Sequence, residues 1–170
     1  IVSNNRPSTS SKLSIDYKTL SKINPSIIYV EITGYGPKGA RSKDPGFDLI
    51  MQGFTGAVAT EGKIYNGQPE VIWSSSYIDF ATAYAAASGI MAGIIKRYKT
   101  GKGSHISTSL LSNALAMQSL HLIEVDGFPS VQYKWTKEEK PFLESSGASF
   151  EKILSSYKEK TRHPIYLCYY

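Results

Sequence analysis

Two aspartates stand where a carboxylate could do chemistry. Asp79 follows Ser75-Ser76-Tyr77-Ile78, at the head of a long Ala- and Gly-rich stretch that predicts a helix over residues 77–98. A carboxylate in a first helical turn is held as the anion by the helix dipole and by N–H groups without partners. Most acids in that place are simple caps. Beside a ligand, the same group can act as a base or a nucleophile. Asp48, after Gly46-Phe47, opens a shorter helix expected over 47–55, and reads first as an ordinary first-turn acid. Arg6, Lys12, Lys38, Arg41 and Lys43 flank the loops around a predicted strand and could meet phosphates. Each alone reads as a solvated charge. Tyr35 and Phe47 could stack on a flat ligand, with packing as the simpler role.

Other chemistries lack their residues. The single cysteine, Cys168, excludes a disulfide framework and a Cys-based zinc site. His105, His121 and His163 match no metal spacing, so no metal is expected; His121 reads as a half-buried core residue. Walker, HExxH, GxSxG and EF-hand patterns are missing from the sequence. Gly34-Tyr35-Gly36 with Gly39 spells GxGxxG. Pro37 and the basic, Pro-containing stretch after it oppose a helix there, so the dinucleotide reading is rejected.

The elements that must position these residues follow from pattern. Residues 1–14 read as a loop. Asp16 caps a short helix to Ile23, stopped before Asn24-Pro25. Ile27-Ile28-Tyr29-Val30-Glu31-Ile32 is a β-branched apolar run and reads as a buried strand. The loop 33–39 lies at its carboxyl end, where open α/β sheets place ligands. Residues 62–69 form a turn-rich connection. Small residues along 85–93 allow close approach of another backbone, and Gly101 ends the helix. A strand is expected over 105–109, helices over 110–124 and 150–160, and the start of a strand over 165–170. The uncharged run 80–95, with Gly89 and Gly93 four apart, is 16 residues long. A membrane span needs about 20, so no membrane is expected.

The chain of 170 residues carries a net charge of +5. Residues 1–103 hold 12 Lys and Arg against 7 Asp and Glu, and 104–170 hold 7 against 7. A local basic excess suits an anionic ligand. The basic residues are not interleaved with aromatics on one face, which argues against nucleic acid.

Taken together, the segments resemble class III CoA-transferases, the family of formyl-CoA and carnitine CoA-transferases, with α-methylacyl-CoA racemases as relatives. Asn4-Asn5-Arg6-Pro7 is similar to the family's Asn-Phe-Arg-Pro-Gly segment. Asp16-Tyr17 through Leu20, Asn24-Pro25 and Ile27-Ile28-Tyr29 resemble its DYxxL…NPxxIY stretch, continued by Ile32-Thr33-Gly34-Tyr35-Gly36. Gly46-Phe47-Asp48-Leu49 through Gln52 and Gly56 resembles GYDxxxQAxxG. Ile78-Asp79, Gly89 through Arg97 and Thr100-Gly101-Lys102-Gly103 follow in the family's order, and Ser109-Leu110-Leu111 closes the run. Within the family, the stretches around Ile90-Met91-Ala92-Gly93 and Lys99-Thr100-Gly101-Lys102-Gly103 look most like the glutarate and dicarboxylate type.

The resemblance implies a Rossmann-like open α/β sheet with flanking and crossing helices. It implies a chain that is a partial, central segment. Residues 1–118 would belong to the large domain, and 119–170 would lead toward a second one. Full-length members are expected as interlocked dimers, so the partner would be a second copy or a complementing chain. Coenzyme A is implied as the acyl carrier, with an acyl-CoA donor and a carboxylic acid acceptor. Asp79 falls on the catalytic aspartate, which forms covalent aspartyl intermediates. Asn4, Asn5 and Arg6 fall on the CoA-contacting loop. Lys12 stands where formyl-CoA transferases carry an arginine near the nucleotide; it keeps the charge and loses the planar fork. Phe47 stands where transferases have tyrosine near the thioester and racemases have histidine. Phenylalanine moves no proton, which favours transfer over racemisation. A racemase and a non-catalytic CoA-binding or subunit-assembly fragment remain the alternatives. The expected location is intracellular, the cytoplasm first, with mitochondria left open.

Overall fold

The computed structural model describes residues 1–58, 64–65, 68–72, 75–119 and 135–161. His121, His163, Cys168, the later part of the helix expected over 110–124 and the strand expected over 165–170 lie outside the described residues. In chain order the elements are β1 (Val2–Ser3), α1 (Pro7–Lys12), α2 (Tyr17–Ile23), β2 (Ile28–Thr33), α3 (Asp48–Phe54), β3 (Ile64–Tyr65), β4 (Gln68–Pro69), α4 (Tyr77–Thr100) and β5 (Ser104–Ser109). After them come α5 (Leu110–Met117), a π-helical turn (Trp135–Glu139), α6 (Lys140–Ser145) and α7 (Phe150–Thr161).

The chain divides into two compact units. The first, Ile1–Thr55 with Trp73–Met117, is an open parallel sheet in the order β1-β2-β5. β2 and β5 pair from Ile28 opposite Ser104 to Thr33 opposite Ser109. Helices cover both faces. On one, Tyr17 of α2 stacks on His105 at 4.7 Å between ring centroids, and Tyr29 meets His105 edge-on. On the other, α4 presses against the sheet. Gly89 and Gly93 are the reason it can: a Cβ on Gly89 would stand 2.7 Å from Ile106 Cγ2, and one on Gly93 would stand 3.2 Å from Ile28 Cγ2. The small residues of α4 therefore admit sheet side chains.

The first segment differs from expectation. Residues 1–14, read as a loop, hold β1 and α1. Two residues are too few to show an alternating pattern, and β1 exists through its pairing of Val2 with Val30 and Ser3 with Glu31. α1 begins on Pro7, which supplies the fixed φ a first helical position favours. α4 is also longer than its uncharged run. It has 24 residues and a window of mean hydropathy 1.5, enough by length and composition to cross a membrane. Its N-terminal turn and its glycine face are nevertheless engaged with the rest of this unit.

α2 behaves as its sequence reads. Asp16 caps it, accepting from Thr19 N at 3.1 Å and from Thr19 Oγ1 at 2.8 Å. These bonds, the side-chain one first, hold the Asp16 carboxyl below its ordinary 3.8. A carboxyl lowered by folding stabilises the fold above its unfolded pKa and loses that effect as pH falls through the folded value. Asp16→Ala should therefore lower the melting temperature slightly at neutral pH. The gap from the parent should close below pH 3.8. Paired melts across that range check it, and a gap that stays constant with pH would disprove it.

The second unit comprises Gly56–Ile72 and Gln118–Tyr170. Its described parts include an antiparallel pair, Ile64 opposite Pro69 and Tyr65 opposite Gln68. Trp135, Leu154 and Tyr157 form its buried cluster, with the two rings edge-to-face at 5.0 Å. Trp135 Nε1 donates to Ser156 Oγ, which donates to Glu139 Oε1.

Candidate active site

The first unit carries a cavity of about 610 Å3 at the carboxyl edge of its sheet. Its walls come from the segments that follow the strands. Asn4, Asn5 and Arg6 follow β1, Thr33 and Gly34 end β2, and Leu110 follows β5. Phe47, Asp48, Ser76 and Asp79 also line it. Loops at the carboxyl ends of parallel strands converge by topology, which is why open α/β sheets bind there.

A small apolar core fixes the floor. Met51 of α3, Ile78 of α4 and Leu110 and Ala114 of α5 are buried together, with Tyr35, Tyr77 and Leu111 against them. Burying Met51 and Ile78 contributes about 1.5–3 kcal/mol each. Three helices thus meet at the residue before Asp79.

Asp79 is exposed and occupies the third position of α4. The expected support from free N–H groups is not there. The amides of Ile78 and Asp79 both donate to Asp48 Oδ2, at 2.8 and 3.2 Å. The Asp79 carboxyl is instead raised above its ordinary value, first by partial desolvation against the cavity wall and then by the negative charge of Asp48. The result is a carboxylate open to ligand and less comfortable as a free anion.

Asp48 is only 5% exposed. It lies in the first turn of α3, as expected, yet its carboxylate caps a different helix. Its Oδ1 accepts from Gln52 Nε2, one turn further along α3. The N-cap residue of α4, Ser76, makes no capping bond with its side chain. Sequence reasoning missed this role because the contact spans 30 residues. The only local signal was a pair of acids that each open a helix.

The loop between β2 and α3 is held at its neck. A Cβ on Gly34 would come within 2.8 Å of Gly46 Cα, so the two backbones touch. Gly34 O also accepts from Leu111 N at 2.9 Å. Within the loop, the Arg41 guanidinium lies 4.9 Å from the Phe54 ring and 5.7 Å from Tyr35, and pairs with Asp44 at 3.4 Å. The residues directly after Gly39 form turns, and the next helix, α3, begins at Asp48.

The structure gathers most of the expected site residues and leaves one outside. Asp79, Asn4, Asn5, Arg6 and Phe47 line one cavity. Phe47, the N-cap of α3, is 64% exposed there. Lys12 is exposed in the last turn of α1 and is not among the lining residues. Lys38 and Lys43 are exposed on the β2–α3 loop. Among the described residues, no group of three His, Cys, Asp or Glu could hold a metal ion.

Residues 1–141 match the family model described as CoA-transferase family III. The chain is 39% identical over 118 residues to the succinyl-CoA:glutarate CoA-transferase of Homo sapiens, covering 69% of this chain and 26% of that one. It is 32% identical over 116 residues to the acetyl-CoA:oxalate CoA-transferase of Acetobacter aceti, covering 68% and 30%. The chain thus spans about a quarter to a third of the length of these curated relatives. Among solved structures, Rv3272 from M. tuberculosis in its orthorhombic form superposes with a TM-score of 0.65 at 27% identity, over 71% of this chain and 34% of that one. A CAIB/BAIF family protein from Brucella suis superposes over 98% of this chain and 56% of that one, with a TM-score of 0.63 at 20% identity, and so shares the fold. With its open parallel sheet and a matched segment that takes in every residue of the cavity, the chain belongs to CoA-transferase family III.

Proposed function

We propose that this chain carries the reacting centre of a CoA-transferase that moves coenzyme A from an acyl-CoA to a carboxylic acid, with Asp79 as nucleophile. The observation that carries the reading is the Asp79 carboxylate. It is open to the cavity, raised in pKa and fixed on the first turn of α4. An Asp79 oxygen attacks the thioester carbonyl, the C–S bond breaks, and CoA leaves as thiolate, with the acyl group joined to Asp79 in a mixed anhydride. The thiolate attacks the aspartyl carbonyl and expels the donor's carboxylate, leaving an aspartyl-CoA thioester. The acceptor carboxylate then attacks that carbonyl, again releasing thiolate and forming a second anhydride. Return of the thiolate to the acceptor's acyl carbon frees Asp79. Splitting one acyl transfer in this way replaces a difficult step by easier ones.

Coenzyme A serves here as a substrate. Asn4, Asn5 and Arg6 would hold it from the β1–α1 loop, with Arg6 bringing a cation to the cavity. Phe47 would lie against the thioester end. Lys12 would reach it only by way of an extended nucleotide arm. The relatives named for succinyl-CoA and glutarate support short dicarboxylic acids as the substrate class. Residues 119–170 would lead toward the second domain.

The test is transfer itself. The purified protein is mixed with succinyl-CoA and a panel of carboxylic acids, and the appearance of each acid's CoA ester is followed by chromatography. Deuterium exchange at the acyl α-carbon without transfer would shift the reading to a racemase. CoA binding with neither reaction would shift it to a non-catalytic piece.

A homodimer or a complementing chain is part of the proposal, and one face of α4 supports it. Phe80, Tyr84, Met91, Ile95 and Tyr98 are exposed along α4, at helical spacing. An apolar stripe of this kind marks an interaction face. Sedimentation should find a species of at least two chains at micromolar concentration, and a monomer would remove the dimer from the proposal.

A further inference from the structure

We propose that Asp48 is the positioning residue of this site: its buried carboxylate ties α3 to the first turn of α4 and fixes the direction in which Asp79 faces the cavity. The inference rests on Asp79 being the nucleophile and goes beyond it.

A helix begins with four N–H groups that need partners, and a Ser at the N-cap usually supplies one. Here Ser76 is at that position and its side chain does not cap. Asp48 Oδ2 takes the amides of Ile78 and Asp79 instead. The second of these amides belongs to the reacting residue. Gln52, fully buried, holds the other carboxylate oxygen, so Asp48 cannot turn away without losing three bonds. Met51 and Ile78 pack beside this junction in the shared core. A buried acid costs more to desolvate than a serine hydroxyl at the same duty. It supplies what the hydroxyl cannot, a fixed negative charge near Asp79. That charge is the second cause of the raised Asp79 carboxyl, after partial burial. A more basic carboxylate is the stronger nucleophile. With the capping duty moved to α3, the Ser76 hydroxyl is left at the cavity wall.

One readout separates positioning from mere support, and a second tests the hydrogen bonds on which both depend. The first is the pH dependence of aspartyl adduct formation with succinyl-CoA, followed by rapid quench and intact mass. Among the described residues, the ionisable side chains that line the cavity with Asp79 are Arg6, Asp44 and Asp48. Leu110, from α5, brings no charge. Asp48→Asn keeps an acceptor oxygen and removes the charge. The Asp79 carboxyl should then titrate lower, so the acid limb of the adduct rate should move to lower pH. The plateau rate should fall roughly tenfold. The second readout is amide exchange in the unaltered protein. Ile78 and Asp79 should be protected about as well as the middle of α4. Exchange as fast as in an open loop overturns the proposal even if no variant folds.

An acid limb and plateau unchanged in Asp48→Asn, while Asp79→Ala forms no adduct, would show that Asp48 is a structural cap only. A full adduct in Asp79→Ala would instead remove the nucleophile, and this inference with it. The two failures are therefore distinct.

Discussion

Asp79→Ala should lower CoA transfer by at least about a thousandfold while leaving CoA binding within about threefold. The two effects part because of where the residue stands. In the proposed mechanism Asp79 supplies a reacting oxygen, and a methyl group supplies none. The groups proposed to bind CoA lie elsewhere, on Asn4 through Arg6 and at Phe47. The substitution should also spare the fold. The Asp79 side chain is exposed, and its capping contact runs through its backbone amide. Asp79→Asn should lose as much activity as Asp79→Ala, because an amide is a poor nucleophile and carries no charge. Steady-state rates, a CoA titration and intact-mass spectra with succinyl-CoA check all three points. Residual activity near a tenth of the parent, with no adduct on either variant, would falsify the covalent assignment.

Much of this site was legible because its signals are local. The Asp16 cap, the apolar run of β2 and the glycine that closes α4 each declare themselves within a few residues, and each is found as read. β1 was not legible, since a two-residue strand exists only through its partner. α1 was missed despite Pro7, because its Ser and Thr residues also suit a loop. The electrostatics of Asp79 went the other way from a helix-dipole argument. The free amides that argument relied on are taken by Asp48, and the same group adds a like charge. No periodicity reports a contact across 30 residues. The basic residues show a similar limit: composition made them alike, and the fold sorts Arg6 to the cavity and Arg41 to an aromatic bracket.

Gly46→Ala should cost about 3 kcal/mol of stability, at the upper end of what overpacking does, and should slow adduct formation roughly a hundredfold. The reason is steric. A Cβ on Gly46 would sit 2.5 Å from Gly34 Cα and 3.0 Å from Met51 Cε. The Met51 tip can yield, because methionine is flexible. The Gly34 backbone cannot, because it continues β2 and its carbonyl is bonded to Leu111 N. The strain must therefore displace Gly46 and its C-terminal neighbours. Phe47 comes next, then Asp48, whose carboxylate holds the Asp79 amide. The displacement at Gly46 is passed to Asp79 through two residues and one hydrogen bond, and about 1 Å of misplacement at a reacting group costs a hundredfold. Gly53→Ala is the control. Nothing lies within 4 Å of a Cβ there, and the position is helical. It should stabilise α3 by about 0.5–1 kcal/mol, the ordinary gain of Ala over Gly in a helix, with the adduct rate unchanged. Urea melts and single-turnover rates on both variants decide the matter. If Gly46→Ala proves as stable and as fast as the parent, the touching backbones are not what holds Asp48 under Asp79.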